Sequence, residues 1–332
     1  MFLRQIAVQE RAISADGVEV YNLAVNPLSV VLVCLRPLNN TGTLANFQTY
    51  KGICAALNRV SILYRGEAIK SCRGEDLAAL NWFRWGIMPF QGQHDDTDDE
   101  RRCVVLPILM GRWPYSKESC FPATRSGELT IECDYDIADT GYDGLRVSIE
   151  TIEILDATPR EYEKLVQVTQ TMAATGDQDL DLISAGNDIR GILLFGTTPF
   201  GGAAPAPTWG RLKLLLDNQE VGFANTDFEV LQADASLWGR NPPAYDGHMH
   251  RITTSGCAQT ALATISGPFN VGAGIAGAVD INSWMQYAFM DFDPTGDDAH
   301  ILRTQGKSRL IVRGNIETAD AVRGLPIEVI KL

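Results

Sequence analysis

The sequence predicts an all-β protein built from two consecutive eight-stranded antiparallel sandwiches joined by a linker helix. Three observations carry this: a segment that recurs after 152 residues (211 − 59 = 152), short β-branched runs punctuated by turn residues, and a single capped helix pattern between the halves.

The recurrence is the run RVSILYRGEAI from Arg59 to Ile69, echoed by RLKLLLDNQEV from Arg211 to Val221. Each copy is followed by an acidic, helix-prone stretch, Gly74 to Leu80 in the first and Thr226 to Leu231 in the second. Each half then closes on matched strands: Leu129–Glu132 corresponds to Leu310–Arg313, and Gly144–Ile149 to Gly324–Val329. The closing offset is 310 − 129 = 181, so the second copy carries 181 − 152 = 29 extra residues, assigned to the span from Asn241 to Ser283.

Strands are predicted in chain order at Ser29–Cys34, Val60–Tyr64, Val104–Leu109, Leu129–Tyr135 and Leu145–Leu155. The second half repeats them at Ile192–Phe195, Leu212–Leu216, Met285–Phe292, Ser308–Val312 and Ile327–Ile330. These short runs, bounded by Gly, Asn, Asp and Pro, indicate antiparallel sandwiches rather than βαβ units. Arg65-Gly66 and Asp217-Asn218 hold corresponding places between two strands, where a tight hairpin needs residues that tolerate positive φ.

Between the halves, Thr158-Pro159-Arg160-Glu161 has a Thr cap, a Pro at the first helical position and a Glu three residues after the cap. Tyr162, Leu165, Val168 or Thr169, and Met172 follow at helical spacing, and Thr175-Gly176-Asp177 ends the pattern. The expected organisation is a first sandwich at 1–157, a linker helix and connection at 158–187, and a second sandwich at 188–332 with an insertion at 241–283.

At 332 residues, 45% hydrophobic and 21% charged, the composition is that of a globular protein of about two domains. The net charge is −13 and the first 25 residues carry only Arg4, Glu10, Arg11, Asp16 and Glu19 as charged groups. Neutralising phosphates needs clustered Lys and Arg, so direct nucleic-acid binding is excluded as the expected function. Met1 to Ile6 is too short and polar for a secretory signal, which points to synthesis in the cytoplasm. Seven cysteines without C-x-x-C spacing, several inside apolar alternation, are expected as buried free thiols.

Candidate sites are few. His248-Met249-His250 can place two imidazoles on one strand face, but no third ligand stands at a fixed spacing. The acidic run Asp95 to Glu100 and the segment Asp291 to Asp298 offer carboxylates to a structural calcium ion, without the pattern of a helix-flanked calcium loop. No cofactor and no resident metal are otherwise expected. His94, His248, His250 and His300 lack the context of a catalytic base, and Gly201-Gly202-Ala203 lacks the Lys of a phosphate loop, so no enzyme is expected. The charge-free stretch Ile252 to Val279 is long enough to span a bilayer, but five glycines and Pro268 make it an ordered loop instead. Phe2, Leu3, Ile6 and Val8 could lie on a membrane surface with little basic support.

The duplicated strands, Gly or Asn turns, acidic helices and closing Gly-Leu strands resemble the double jelly-roll major capsid proteins of tailless icosahedral viruses, the adenovirus-hexon lineage. The likeness is nearest to the coat proteins of corticovirus-like phages with an internal membrane. It covers about Val18 to Leu332 and rests on Asn58–Glu67, the segment from Thr158 and the closing strands. The resemblance implies a homotrimeric capsomer of pseudo-hexagonal outline that tiles an icosahedral shell in the virion. Its partners would be neighbouring capsomers, a vertex or penton protein and the internal membrane or its proteins, with no direct contact to the genome. The alternative is a two-sandwich glycan-binding protein or glycoprotein amidase, which needs paired acids and aromatic platforms in one groove; Trp82, Trp85, Trp113, Trp209, Trp238 and Trp284 could furnish platforms, with Trp113 and Trp209 as the pair to test. Trp82, Trp85 and Trp238 follow the duplicated acidic helix and suit packing better.

Overall fold

The computed structural model describes residues 1–39, 50–86, 90–91, 103–137, 142–182, 186–197, 207–237, 248–253, 256–261 and 286–332. The first half runs β1 (Phe2–Ile13), β2 (Gly17–Asn22), β3 (Leu28–Asn39), α1 (Tyr50–Ala55), β4 (Leu57–Tyr64), β5 (Glu67–Cys72), α2 (Gly74–Trp85), β6 (Phe90–Gln91), β7 (Val104–Leu109), β8 (Leu129–Tyr135) and β9 (Tyr142–Ile154). The second half runs β10 (Glu161–Val166), β11 (Val168–Thr171), β12 (Gly176–Asp181), β13 (Asp188–Gly196), β14 (Trp209–Leu216), β15 (Gln219–Asp227) and α3 (Phe228–Leu237). It continues with β16 (His248–Thr253), β17 (Gly256–Ala261), β18 (Tyr287–Asp291), β19 (Leu310–Ile316) and β20 (Ala321–Lys331).

Period-two burial shows why these segments are strands. In β8 every second residue from Leu129 to Tyr135 is buried, and facing residues fill the core between two sheets. Each half is a jelly roll with the same weave. In the first, β1-β9-β3-β7 forms one sheet, extended by β6, and β5-β4-β8-β2 forms its partner. In the second, β18-β13-β20 with β10 and β11 faces β12-β19-β14-β15. The chain is therefore a double jelly roll, and its strands alternate between the two sheets of each sandwich in the same order twice.

The repeat offsets reappear as ladder register. Tyr64 pairs with Leu129 and Ile62 with Ile131 in the first roll, while Leu216 pairs with Leu310 and Leu214 with Val312 in the second. The intervals are 216 − 64 = 152 and 310 − 129 = 181, those found in the sequence. Both hairpin turns hold two consecutive residues at positive φ, Arg65 (51°) and Gly66 (85°), then Asp217 (50°) and Asn218 (66°). That backbone matches the right-handed twist of the flanking strands. The two acidic stretches become α2 and α3, each directly after its hairpin.

The expected linker helix from Thr158 is corrected by the structure. Residues 161–166 form β10, antiparallel to β20 (Tyr162 to Ile330, Leu165 to Ile327) and parallel to β5 (Leu165 to Lys70, Val166 to Ser71). Glu163 and Leu165 are both buried, an alternation of period two, and Val166, Val168, Thr169 and Thr171 favour an extended chain. The cap pattern offers at most a few kcal/mol to a helix that would leave the edges of β5 and β20 unpaired, so sheet pairing prevails. β10 and β11 are the first strand of the second roll, and through β10 one sheet of each roll fuses into a single nine-stranded sheet.

Of the 241–283 insertion, only the β16–β17 hairpin is described; the rest, with the run 93–100 and most of the charge-free stretch 252–279, lies outside the described residues. Among the described residues no helix is long and apolar enough to cross a membrane. Six cysteines, Cys34, Cys54, Cys72, Cys103, Cys120 and Cys133, are free thiols, all buried except the half-buried Cys103.

Candidate functional site

The residues with the most unusual chemistry lie on the seam where β10 joins the two rolls. Three strands and a helix bring them together: Arg84 at the end of α2, Glu163 on β10, Arg190 on β13, and Asp293 and Asp298 in the loop after β18. Arg84 holds Glu163 with a two-pronged contact at 2.7 and 2.9 Å. Arg190 donates to the same carboxylate at 3.1 Å, to Glu161 at 2.7 Å, and to both oxygens of Asp298 at 2.9 and 3.0 Å. Arg112, just after β7, binds Asp293 and stands 3.6 Å from Asp298.

Glu163 and Arg190 are 2% and 1% exposed, so these charges have left water almost entirely. Burial alone would raise the Glu163 pKa, but Arg84, Lys70 and Arg190 outweigh it and pull it down to about 2. Burial pushes the ammonium of Lys70, on the neighbouring strand β5, down to about 8, against the attraction of Glu163. Such a network stabilises only when every member is paired, since an unmatched buried charge costs several kcal/mol. It is therefore specific for one relative placement of the two rolls.

A second buried cluster repeats this at the other end of α2. Arg323 of β20 donates to Asp76 at 2.6 and 2.9 Å and to Glu75 at 2.8 Å, and the Tyr287 hydroxyl donates to Asp76 at 2.8 Å. The Arg323 guanidinium also lies 3.4 Å from the centroid of the Phe195 ring. The acidic first turn of α2, a mark of the repeat in the sequence, thus anchors the first roll to the second.

Beside the network is a recess of about 150 Å³ lined by Trp85, Arg112, Trp113, Phe289, Asp291 and Asp293 among others. Its polar groups serve the seam: Asp293 is bound by Arg112 and Asp291 accepts the backbone N–H of Asp293. The carboxylates of Asp293 and Asp298, candidates for a structural calcium ion, face arginines, and Asp297 accepts from Thr295 and the Ala299 N–H. Of the glycan-platform candidates, Trp113 is 50% exposed at the recess rim, whereas Trp209 is 1% exposed and donates its indole N–H to the Phe195 carbonyl at 3.0 Å. Trp82 is buried and Trp85 stacks under Arg84, as expected of packing residues, while Trp238 and Trp284 lie outside the described residues. His248 and His250 occupy alternate positions of β16, opposite Ala261 and Gln259, but their side chains are outside what is described, as is His94; His300 is exposed. Among the described residues no three His, Cys, Asp or Glu are grouped to hold a metal ion.

Sequence reasoning did not select Arg84, Arg112, Glu163, Arg190 or Arg323. The available signal was a charge inside an apolar run: Arg190 in DIRGILLF and Arg323 in AVRGLPI, each a guanidinium where the sheet demands burial.

No protein-family model matches the sequence, and no curated protein does. Solved structures do share its fold over the full length. The major capsid protein of Sulfolobus Turreted Icosahedral Virus superposes with a TM-score of 0.70 at 12% identity, covering 100% of this chain and 97% of that one. The major capsid protein P2 of bacteriophage PM2 gives 0.61 at 10% identity, covering 100% and 98%. PBCV-1 VP54 gives 0.60 at 9% identity, covering 99% and 94%.

Proposed function

We propose that this chain is a viral major capsid protein, a non-enzymatic subunit that forms homotrimeric, pseudo-hexagonal capsomers and tiles an icosahedral shell around an internal membrane. The observation that carries the reading is the seam: two rolls of the same weave, fused through β10 and held by buried arginine–carboxylate networks, make a rigid pair rather than two hinged domains. A tiling unit needs that fixed geometry, and the solved structures of the same fold are major capsid proteins. The rolls would extend over 1–157 and 188–332, with the strands of 158–187 added to the second.

The duplication also supports a trimer. Within the chain, the edge of β5 is covered by β10, the first strand of the next roll. The counterpart of β5 in the second roll is β15, a largely exposed strand paired on one side by β14, and the counterpart of β10 in the first roll is β1, paired by β9. A second copy can therefore set β1 beside β15 as β10 sits beside β5, and three copies close a ring of six rolls. Exposed Phe2 and Ile6 on β1 would contribute apolar area to that contact or face the membrane. Neighbouring capsomers and a vertex protein are the remaining partners, and a net charge of −13 fits a coat that does not bind the genome.

Light scattering of the purified chain tests the reading. The expected mass is three times 36.3 kDa; a monomer at all accessible concentrations would overturn the capsomer.

A further inference from the structure

We propose that Cys34 and Cys103 form an oxidisable pair that closes to a disulfide across the β3–β7 ladder. Their sulfurs already stand 3.3 Å apart. Cys34 is paired in register with Val105, so Cys103, two residues along, lies on the same sheet face as its diagonal neighbour. Reaching the bonded length of ~2.05 Å needs a closure of roughly 1.3 Å. Cys103 immediately precedes Val104, the first residue of β7, and lies outside the ladder that fixes Val104.

The surroundings divide the labour between the two thiols. Cys103 is half-buried and reachable, whereas Cys34 is buried. The hydrogen bond from Cys34 and the nearby Arg36 guanidinium bring the Cys103 thiol down to about 7 despite its burial. Arg36 is itself oriented by donating to Ser148 at 2.8 Å. The same contact, with burial, pushes Cys34 up. Cys103 is thus the attacking thiolate and Cys34 the resolving thiol. Burial pushes Cys72 and Cys133 up to about 12 and Cys120 to about 11, which leaves them unreactive.

With oxidised glutathione as the oxidant, the Cys103 thiolate attacks one sulfur of the glutathione disulfide and expels a glutathione thiolate, leaving a mixed disulfide at Cys103. Cys34 then attacks the Cys103 sulfur, expels the second glutathione and loses its proton to solvent. Two protein thiols become one disulfide as one oxidised glutathione becomes two reduced ones. The bond encloses α1, the β4–β5 hairpin and α2 in one covalent loop. This chemistry is independent of the capsid reading.

The test uses the full chain, fully reduced and then exposed to oxidised glutathione, quenched with iodoacetamide, digested and analysed by mass spectrometry without reductant. The expected product is a peptide pair joined through Cys34 and Cys103, two hydrogens lighter than the sum of its parts. The melting temperature should rise by roughly 5 °C or more over the reduced protein. Cys34→Ala should stop at a glutathione adduct on Cys103, and Cys103→Ser should leave Cys34 unmodified. Recovery of both residues as alkylated thiols after oxidation of the unaltered chain, or linkage of either to another cysteine, would overturn the proposal whatever the variants do.

Discussion

Glu163 and Arg190 meet at 3.1 Å on the seam between the two rolls, one on the strand that joins them and the other on β13, across β20 from it. The pair is satisfied from both sides, by Arg84 on α2 and by Glu161 and Asp298 around Arg190.

Glu163→Gln keeps the shape of the side chain and removes its charge, leaving Arg84 and Arg190 buried and under-compensated. We expect a loss of about 3–5 kcal/mol in chemical denaturation. A change below ~1 kcal/mol would mean that water reaches the seam.

The same carboxylate sets an acid limit. Its folded pKa of about 2 lies below the unfolded value, so its contribution is complete above about pH 4.5 and is lost as the pH falls toward 2. The magnitude is on the order of 3 kcal/mol. Denaturation of the parent chain and of Glu163→Gln across that range should converge as the pH drops, and parallel curves would contradict the assignment.

Lys70 shifts stability in the same direction, at the alkaline end. With its folded pKa lowered to about 8, the unfolded chain holds the proton more tightly between pH 8 and about 10.5, and its share of the stability rises with pH across that window. Lys70→Met, similar in volume and uncharged, should stabilise by roughly 1–3 kcal/mol at pH 7 and abolish this rise, as read from melting curves at pH 7, 8.5 and 10.

Arg323→Met strands the buried carboxylate of Asp76 with only the Tyr287 hydroxyl as its neutral donor. A loss of about 3–5 kcal/mol is expected, and the double variant Arg323→Met with Asp76→Leu should recover part of it in the same unfolding assay.

The hairpins were legible because a turn with two positive-φ residues narrows the choice of side chains, and the flanking strands repeat their apolar pattern at a constant interval. Val104–Leu109 and Leu129–Tyr135 match the predicted bounds because strict alternation under a half-buried sheet leaves little freedom. The segment from Thr158 misled because cap residues and a three-four spacing are local signals, while the partners of β10 lie on β5 and β20, far away in the chain. β1 and β2 escaped notice for a related reason. As outer strands their exposed Phe2, Ile6, Val18 and Val20 break the alternation that marks a buried face. The ion network was illegible as a set because Glu163 stands 79 residues from Arg84 and 27 from Arg190, and nothing local links them.

The double pairing of β10 also imposes an order on synthesis. Its antiparallel partner β20 leaves the ribosome long after it, so the first roll can collapse early with β10 on its β5 edge while the other edge of β10 waits for a neighbour that does not yet exist. Until β20 arrives, the nascent chain presents an open edge on β10 and leaves the Glu75 and Asp76 carboxylates without Arg323. The vulnerable interval for misassembly is therefore translation of the second half, not of the first.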